Sequence, residues 1–302
     1  MDAVEMTRGT WFSELRSRWR ESQPHCEGAD CSWAERSSRR LHWWNRPIRM
    51  RGEVFCAPQC FERAARHSFH RLLLAPTPEA TVRHRLPLGL LMLSRGQLTQ
   101  PQLRHALDAQ HSGPQLRLGE WLEKLGFATE QEVTAALALQ WACPVLADGA
   151  KPDLDCARIL PWRLLQHFRM LPLQFVEATR TFYFAFCNRI EYAMLYAVEQ
   201  MLACRALPCL AGHSLIDAAL EQIAAEAGRR DLLFEGWRDA AEMARITTGY
   251  VLRLDMNEVT MTGCGNYIWV RLGQGRDGVN LLFSRSSAQT EMPDLVLQPI
   301  TG

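Results

Sequence analysis

The chain has 302 residues and a formal net charge of +1, with 47% hydrophobic and 22% charged residues. These values are typical of a soluble globular protein of two or three domains, and they give no whole-chain argument for binding to nucleic acid or membranes. No apolar run approaches the roughly 20 residues that span a bilayer, so a membrane-spanning protein is not expected.

Residues 1–24 form a polar, arginine-rich lead. We predict a short helix there from apolar residues that share one helix face, which are Trp11, Phe12, Leu15 and Trp19. The lead lacks the apolar core of a secretory signal, so a cytoplasmic location is expected. Cysteines stay reduced in that compartment.

Residues 25–75 contain two close pairs of cysteines, Cys26 with Cys31 and Cys56 with Cys60. Four thiolates in two pairs suit a tetrahedral zinc ion, and a reducing compartment favours metal over disulfides. The second pair opens a helix, whose backbone N–H groups can support the thiolate charge. No fifth group suggests an open coordination position, so we predict a structural zinc site.

The segment resembles treble-clef zinc fingers that carry the knuckle [YF]-C-x-x-x-C-F, over about 40 residues. Its first pair departs from that family, because C-x4-C replaces the usual C-x2-C. Two alternatives stay open. The four thiols can be buried without metal, or a histidine replaces one cysteine, with His25, His67 and His70 as candidates.

Arginines and tryptophans alternate between the two cysteine pairs, in "WAERSSRRLHWWNRPIRMRG". This combination can contact phosphates and stack on bases, with Arg39, Arg40 and Arg46 as the candidate residues. The alternative, which we favour, is a solvated arginine face with tryptophans packed around the zinc site.

An internal repeat follows a linker at residues 76–82. It consists of "PLGLLMLSRGQLTQPQLRHALDAQ" (87–110) and "RLGEWLEKLGFATEQEVTAALALQ" (117–140). Each copy predicts a helical hairpin in which a glycine ends the first helix and a T-x-x-[QE] capping box starts the second. These features need no ligand.

Three residues of the second copy offer more than a helical hairpin requires. Arg117 can stack on a purine or bind a phosphate, and Gly119 would let a ligand approach the backbone. Gln140 offers a donor and an acceptor to a base edge, while a helix N-terminus favours phosphate. Two copies therefore predict two half-sites and a ligand with two like halves.

The tandem pattern R-L-G-x-x-L-x-x-x-G-x-x-T-x-x-x-[LV]-x-x-A-L-x-x-Q resembles the N-terminal, MshEN-like domain of type II secretion and type IV pilus assembly ATPases. The resemblance covers residues 83–227, with the tandem motif at 83–140 and an α/β part at 141–227. In that family some members bind cyclic di-GMP through the motif, and others mainly contact inner-membrane partners. The ATPase core and its phosphate loop are missing here, so no enzymatic activity is expected.

The resemblance implies a cyclic di-GMP site, although the first copy has Pro87 in place of the leading arginine. Arg85 lies two residues upstream, and the spacer between the copies is one residue longer than in the family. Dinucleotide binding and a purely protein-contacting domain therefore both stay open. The candidate ligand-binding residues are Arg85, Leu88, Gly89, Leu103, Leu107, Gln110, Arg117, Leu118, Gly119, Val133, Leu137 and Gln140.

The rest of the chain predicts strands and helices in alternation, then a β-rich tail at residues 228–302. The predicted strands include "CPVLAD", "RTFYFAFC", "ALPCLA" and "YVLRLDM", and "YIWVRLGQGRDGVNLLFS" is predicted as a hairpin. The fold class is thus α+β and multi-domain, with a zinc-knuckle module, a helical-hairpin repeat plus a small α/β layer, and a C-terminal β-rich tail.

We expect a non-catalytic cytoplasmic adaptor or regulator that docks a protein component of a secretion or pilus apparatus. Zn²⁺ is its expected structural cofactor, and cyclic di-GMP is a candidate regulatory ligand. The alternative function is a zinc-finger nucleic-acid-binding protein whose middle domain serves oligomerisation.

Overall fold

The computed structural model describes residues 26–28, 31, 47–76, 85–147, 153–226 and 231–285. Three sequence-based predictions lie outside them: the helix in residues 1–24, the arginines at 39, 40 and 46, and the candidate ligand His25. No helix within the described part of the chain is both long and apolar enough to cross a membrane.

The described part of the chain contains seven consecutive helices between two groups of strands, and further helices lie among the later strands. In chain order they are β1 (Ile48–Met50), β2 (Glu53–Phe55), α1 (Pro58–Leu74), α2 (Leu88–Ser94), α3 (Gln100–Ser112), α4 (Leu118–Lys124), α5 (Glu130–Trp141), α6 (Leu154–Ala157), α7 (Trp162–Phe168), β3 (Met170–Val176), β4 (Thr181–Phe186), α8 (Tyr192–Leu202), β5 (Arg205–Leu210), α9 (His213–Glu226), β6 (Asp231–Phe234), α10 (Ala240–Arg253), β7 (Glu258–Cys264), β8 (Tyr267–Leu272) and β9 (Val279–Ser284). The mixed α+β class predicted from the sequence is confirmed.

The chain divides into two compact units, and the first contains residues 1–71 and 239–259. Its β1–β2 hairpin turns at Arg51 and Gly52, which both have positive φ as a tight two-residue turn requires. Strand β1 also pairs in parallel with the first residues of β7. Helix α1 begins at Pro58, a favoured first helical position, and buries Phe61 and Phe69.

The first unit also contains a helix that the sequence analysis missed. The predicted strand "YVLRLDM" is wrong, because residues 250–253 are the last turn of α10. Asp239 starts that helix by accepting a hydrogen bond from the Glu242 backbone N–H at 2.7 Å. Buried residues then follow at helical spacing, among them Met243, Thr247 and Val251.

The second unit contains residues 72–238 and 260–302. Its three-stranded sheet has the order β3-β4-β5, with β3 and β4 antiparallel and β4 and β5 parallel. Helix α8 provides the crossover that the parallel pair needs. The predicted strand "RTFYFAFC" is confirmed as β4, whose Phe182, Phe184 and Phe186 are all fully buried. In "CPVLAD", by contrast, only an isolated bridge from Val145 to Leu210 forms.

A second group of strands in this unit has the order β7-β8-β9-β6. The predicted C-terminal hairpin is confirmed as β8 and β9, which pair from Tyr267 with Ser284 to Leu272 with Val279. These strands contribute Trp269 to the hydrophobic core that also contains β4 and α8. Residues 260–285 are therefore part of the same compact unit as the middle of the chain.

Buried Arg271 on β8 forms a hydrogen bond that connects these strands with the loop before α7. Its guanidinium donates to the Ile159 carbonyl at 2.6 Å and to the Asn280 side chain at 2.9 Å. Asn280 in turn donates to Asp231 at 3.0 Å. Burial lowers the pKa of Arg271 to about 10, while the charge of Asp231 opposes that change. Asn280 thus bridges Arg271 and Asp231, and both charged groups have hydrogen-bond partners, as charges removed from water require.

Candidate functional sites

The tandem motif forms two helical hairpins, α2–α3 and α4–α5, as predicted. Gly96 and Gly126 end the first helix of each with φ of +70° and +69°. The second helix of each starts with the predicted capping box. In the second copy, for example, the Thr129 backbone N–H donates to a Glu132 carboxylate oxygen at 2.8 Å, and the Glu132 backbone N–H donates to the Thr129 hydroxyl at 3.3 Å.

The two hairpins pack reciprocally, α2 against α5 and α3 against α4. The starts of α2 and α4 also lie side by side. A Cβ atom built on Gly89 would lie 3.2 Å from Leu118 Cδ2, and one built on Gly119 would lie 3.7 Å from Leu88 Cδ2. The leading leucine of each copy therefore lies beside the glycine of the other copy, so the two candidate half-sites are neighbours.

Both glycines also lie close against side chains of their own hairpin. A Cβ atom on Gly89 would lie 2.5 Å from Leu103 Cδ1, and one on Gly119 would lie 2.8 Å from Val133 Cγ1. Real Cβ atoms essentially never approach other heavy atoms this closely, so a side chain at either position would force its neighbour to move. The glycines thus have a structural role that is independent of any ligand.

The final glutamines of the two copies make equivalent contacts across the repeat. Gln110 Nε2 donates to the Leu116 carbonyl at 3.1 Å, and Gln140 Nε2 donates to the Leu86 carbonyl at 2.7 Å. Leu86 and Leu116 are 30 positions apart, as are the two glutamines. Each glutamine therefore fixes the backbone that leads into the first helix of the other copy. Base recognition by these amides stays a prediction.

The two candidate arginines have different surroundings. Arg117 is the exposed N-cap residue of α4, and its backbone N–H donates to Glu120 at 2.8 Å. Arg85 is half-buried, and its Cζ lies 3.4 Å from the centroid of the Trp141 ring, a close cation–π stack. The half-sites are therefore unequal, with one exposed guanidinium and one backed by an indole.

The remaining candidate residues separate into two groups. The side chains of Leu103, Val133 and Leu137 are buried and form the interior of the hairpins. Leu107 is exposed, and Leu88 and Leu118 are half-buried at the start of their helices. Only the second group has surface that a ligand can reach.

An aromatic surface that the sequence did not predict lies next to the motif. Trp141 follows the last glutamine directly, and its ring centroid lies 6.3 Å from that of Tyr192 on α8. Tyr192 and Tyr196 are 51% and 61% exposed. They border an open cavity of about 590 Å³ that is also lined by Cys143 and Pro208. The only sequence signal was the tyrosine spacing of four residues, which falls on one helix face.

The predicted metal ligands converge in the first unit. One sulfur from each of Cys26, Cys31, Cys56 and Cys60 lies within 4.8 Å of all the others. The sulfurs of Cys31 and Cys56 are 3.4 Å apart, and those of Cys56 and Cys60 are 3.9 Å apart. Zinc–sulfur bonds of about 2.3 Å in a tetrahedron place sulfurs about 3.8 Å apart, so the four side chains fit a zinc ion.

Local backbone geometry supports the cluster. The Cys56 backbone N–H points at Cys26 Sγ at 3.4 Å, and Gly28 leaves room for the close approach of Cys60. Partial burial, followed by hydrogen bonding with Cys31, raises the pKa of the Cys60 thiol to about 11 and also raises that of Cys56. Among the described residues this candidate metal-binding group consists of cysteines alone, while His67 and His70 lie exposed on α1.

No protein-family model and no curated protein matches the sequence. The chain is similar to the solved structure of MshE with cyclic di-GMP, at 26% identity and a TM-score of 0.40, over 46% of this chain and 99% of that chain. It is also similar to the N-terminal domain of XpsE in two crystal forms. The identities are 20% and 21% and the TM-scores 0.33 and 0.27, over 45% and 49% of this chain and 92% and 98% of those chains.

These comparisons confirm the predicted resemblance to an MshEN-like domain. The similar structures cover slightly less than half of the chain.

Proposed function

We propose that residues 83–227 form a non-catalytic regulatory module that binds one cyclic di-GMP across the two motifs. The reciprocal packing of the two copies carries this proposal, because it sets two equivalent helix starts side by side. A ligand with two guanine halves and a two-fold axis suits a protein surface with the same internal symmetry.

Within this module, each half-site offers one guanidinium for stacking. Arg117 would stack on the first guanine with its exposed side chain. The second guanine would stack on the face of the Arg85 guanidinium that points away from Trp141. Trp141, Arg85 and the base would then form one continuous stack. In this way Arg85 takes the role that the family gives to the arginine replaced here by Pro87.

The proposed partner is a protein component of a secretion or pilus apparatus, and its proposed docking surface is the cavity beside Tyr192 and Tyr196. Strand β5 borders this surface, but its outer edge is blocked to a further strand. The Ala206 N–H is used by Glu199 at 2.9 Å, and Pro208 has no N–H. The partner therefore docks through side chains in the cavity.

This surface gives the dinucleotide a route to regulation. Trp141 contacts both Arg85 and Tyr192, and Tyr192 borders the docking cavity. A base stacked on Arg85 therefore affects Tyr192 through Trp141. Ordering of Trp141 by the ligand would favour partner docking, because the docking residues would then lose less freedom on binding.

Isothermal titration calorimetry with cyclic di-GMP tests this function. We expect one dinucleotide per chain and at least a tenfold loss of affinity in Arg117→Ala, because a stacked, charged contact is removed. The matched control is Arg158→Ala, since Arg158 is exposed and forms an ion pair with Asp155, three positions away, at 3.1 Å. Absence of binding to the wild-type chain, or equal loss in both variants, would contradict the proposal.

We further propose that the four cysteines hold a structural zinc ion, which requires a reducing compartment and so agrees with a cytoplasmic location. The purified chain should contain one zinc per molecule by mass spectrometry of the metal. Cys60→Ser should lose it, whereas Cys204→Ser, which changes a half-buried thiol outside the cluster, should retain it. Equal metal content in the two variants would show that the cluster is not the site.

A further inference from the structure

Helix α1 has a buried apolar face and an exposed basic face. Phe61, Ala65 and Phe69 are fully buried on one side. The opposite side carries five exposed basic or titratable residues, at spacings of three and four along the helix, which are Arg63, Arg66, His67, His70 and Arg71. At a rise of about 1.5 Å per residue this stripe is roughly 12 Å long. Glu62 is the one acidic residue of α1.

A further arginine adds to the stripe from a neighbouring element. Arg51 lies in the β1–β2 turn. Burial lowers the pKa of Arg51, the nearby charge of Arg71 lowers it further, and Glu53 acts in the opposite direction. Arg51 and Arg71, on different elements, are thus near enough to repel each other, and an anion beside both would reduce that repulsion.

The chemistry of the stripe distinguishes among anionic partners. A helix that binds a membrane surface exposes a broad apolar face, but the apolar face of α1 is already buried. Leu74, at the last position of the helix, is its one exposed large apolar residue. The stripe contains no Trp, Tyr or Phe side chain, and its two aromatic rings are the imidazoles of His67 and His70. Repeated cationic groups one helical turn apart suit regularly spaced phosphates.

We propose that the α1 stripe, together with Arg51, binds the phosphate backbone of nucleic acid without reading its sequence. The surface lies wholly within the first compact unit, so it is independent of the dinucleotide function of the middle domain. Contacts to three or four phosphates give a dependence of log Kobs on log salt concentration with a slope of about −3.

Fluorescence anisotropy of the full chain with a labelled 20-base-pair DNA duplex tests the proposal. We expect binding that weakens with salt along this slope and that falls at least tenfold in the double variant Arg66→Glu, Arg71→Glu. The matched control is Arg245→Glu, Arg253→Glu, which makes the same charge change at exposed positions of α10 in the same unit. The control should remain within twofold of the wild type.

Two further measurements make the result decisive. The neutral double variant Arg66→Gln, Arg71→Gln, with unchanged circular dichroism, should also weaken binding, which separates lost contacts from misfolding. Flotation with vesicles of phosphatidylcholine and phosphatidylserine should show no binding. Equal loss in the α10 control, no binding of the wild-type chain at low salt, or binding to vesicles instead of the duplex would each overturn the proposal.

Discussion

At position 119 the chain has no room for a side chain, because an added Cβ atom would lie 2.8 Å from Val133 Cγ1. Valine is branched at Cβ and buried, so it cannot rotate away easily. We therefore expect Gly119→Ala to lower the free energy of unfolding by about 1–3 kcal/mol. Chemical denaturation followed by circular dichroism measures this change.

Gly249 is the control for this substitution. It lies inside α10, and in the described part of the chain no atom beyond the adjacent residues and the helix's own backbone is within 4 Å of its built Cβ position. Gly249→Ala should therefore raise the stability by up to about 1 kcal/mol, because alanine loses less backbone freedom on folding. If both variants change stability in the same direction and by the same amount, the packing role of Gly119 is contradicted.

Local contacts were the part of the site that the sequence could predict. The Thr129 capping box joins residues three positions apart, so the sequence carries the whole signal. The bond from Gln140 to the Leu86 carbonyl joins residues 54 positions apart, and the stack of Arg85 on Trp141 spans a similar separation. Such contacts depend on how the two hairpins pack, which the spacing within one copy does not specify.

The two capping boxes differ in charge, and this difference predicts a response to pH at the level of the helices. In α5, hydrogen bonds from the Thr129 backbone N–H and hydroxyl lower the pKa of Glu132. A lowered folded-state pKa stabilises the helix start above the ordinary value of 4.5, and this stabilisation is lost as the pH falls through the lower folded value. In α3 the equivalent residue is Gln102, which does not titrate.

Amide hydrogen exchange should therefore show the first turn of α5 losing protection below pH 4.5, while the first turn of α3 does not change. Glu132→Gln should make α5 behave as α3 does, because it converts one capping box into the other. If the two helix starts respond equally in the wild-type chain, the titration of Glu132 does not control the start of α5.

Helix α10 shows why one element was predicted wrongly. Its last turn contains Tyr250 and Val251, residue types that favour strands, and a stretch of seven residues was too short to reveal a helical period. The decisive signals lie upstream, in the N-cap residue Asp239 and in the buried residues that follow it at spacings of three and four. Elements with clear caps and a full period, such as α3 and α5, were predicted correctly.

At the scale of the whole molecule, the compact units divide the chain differently from the sequence-based domain boundaries at 82/83 and 227/228. One unit includes residues 72–238 with 260–302. The parallel pairing of β6 with β9 and the contacts of Arg271 with Ile159 span 49 to 112 positions. Composition along the chain carries no information on such long-range contacts. The change to a β-rich sequence near residue 228 therefore did not indicate a separate unit.

The proposed function requires that the two motifs form one two-fold surface that binds a single cyclic di-GMP. Amide hydrogen exchange with and without saturating dinucleotide tests this requirement most directly. We expect simultaneous protection at residues 85–91 and 117–121, since these segments lead into the neighbouring helices α2 and α4. Protection confined to one copy, or located outside both, would contradict it.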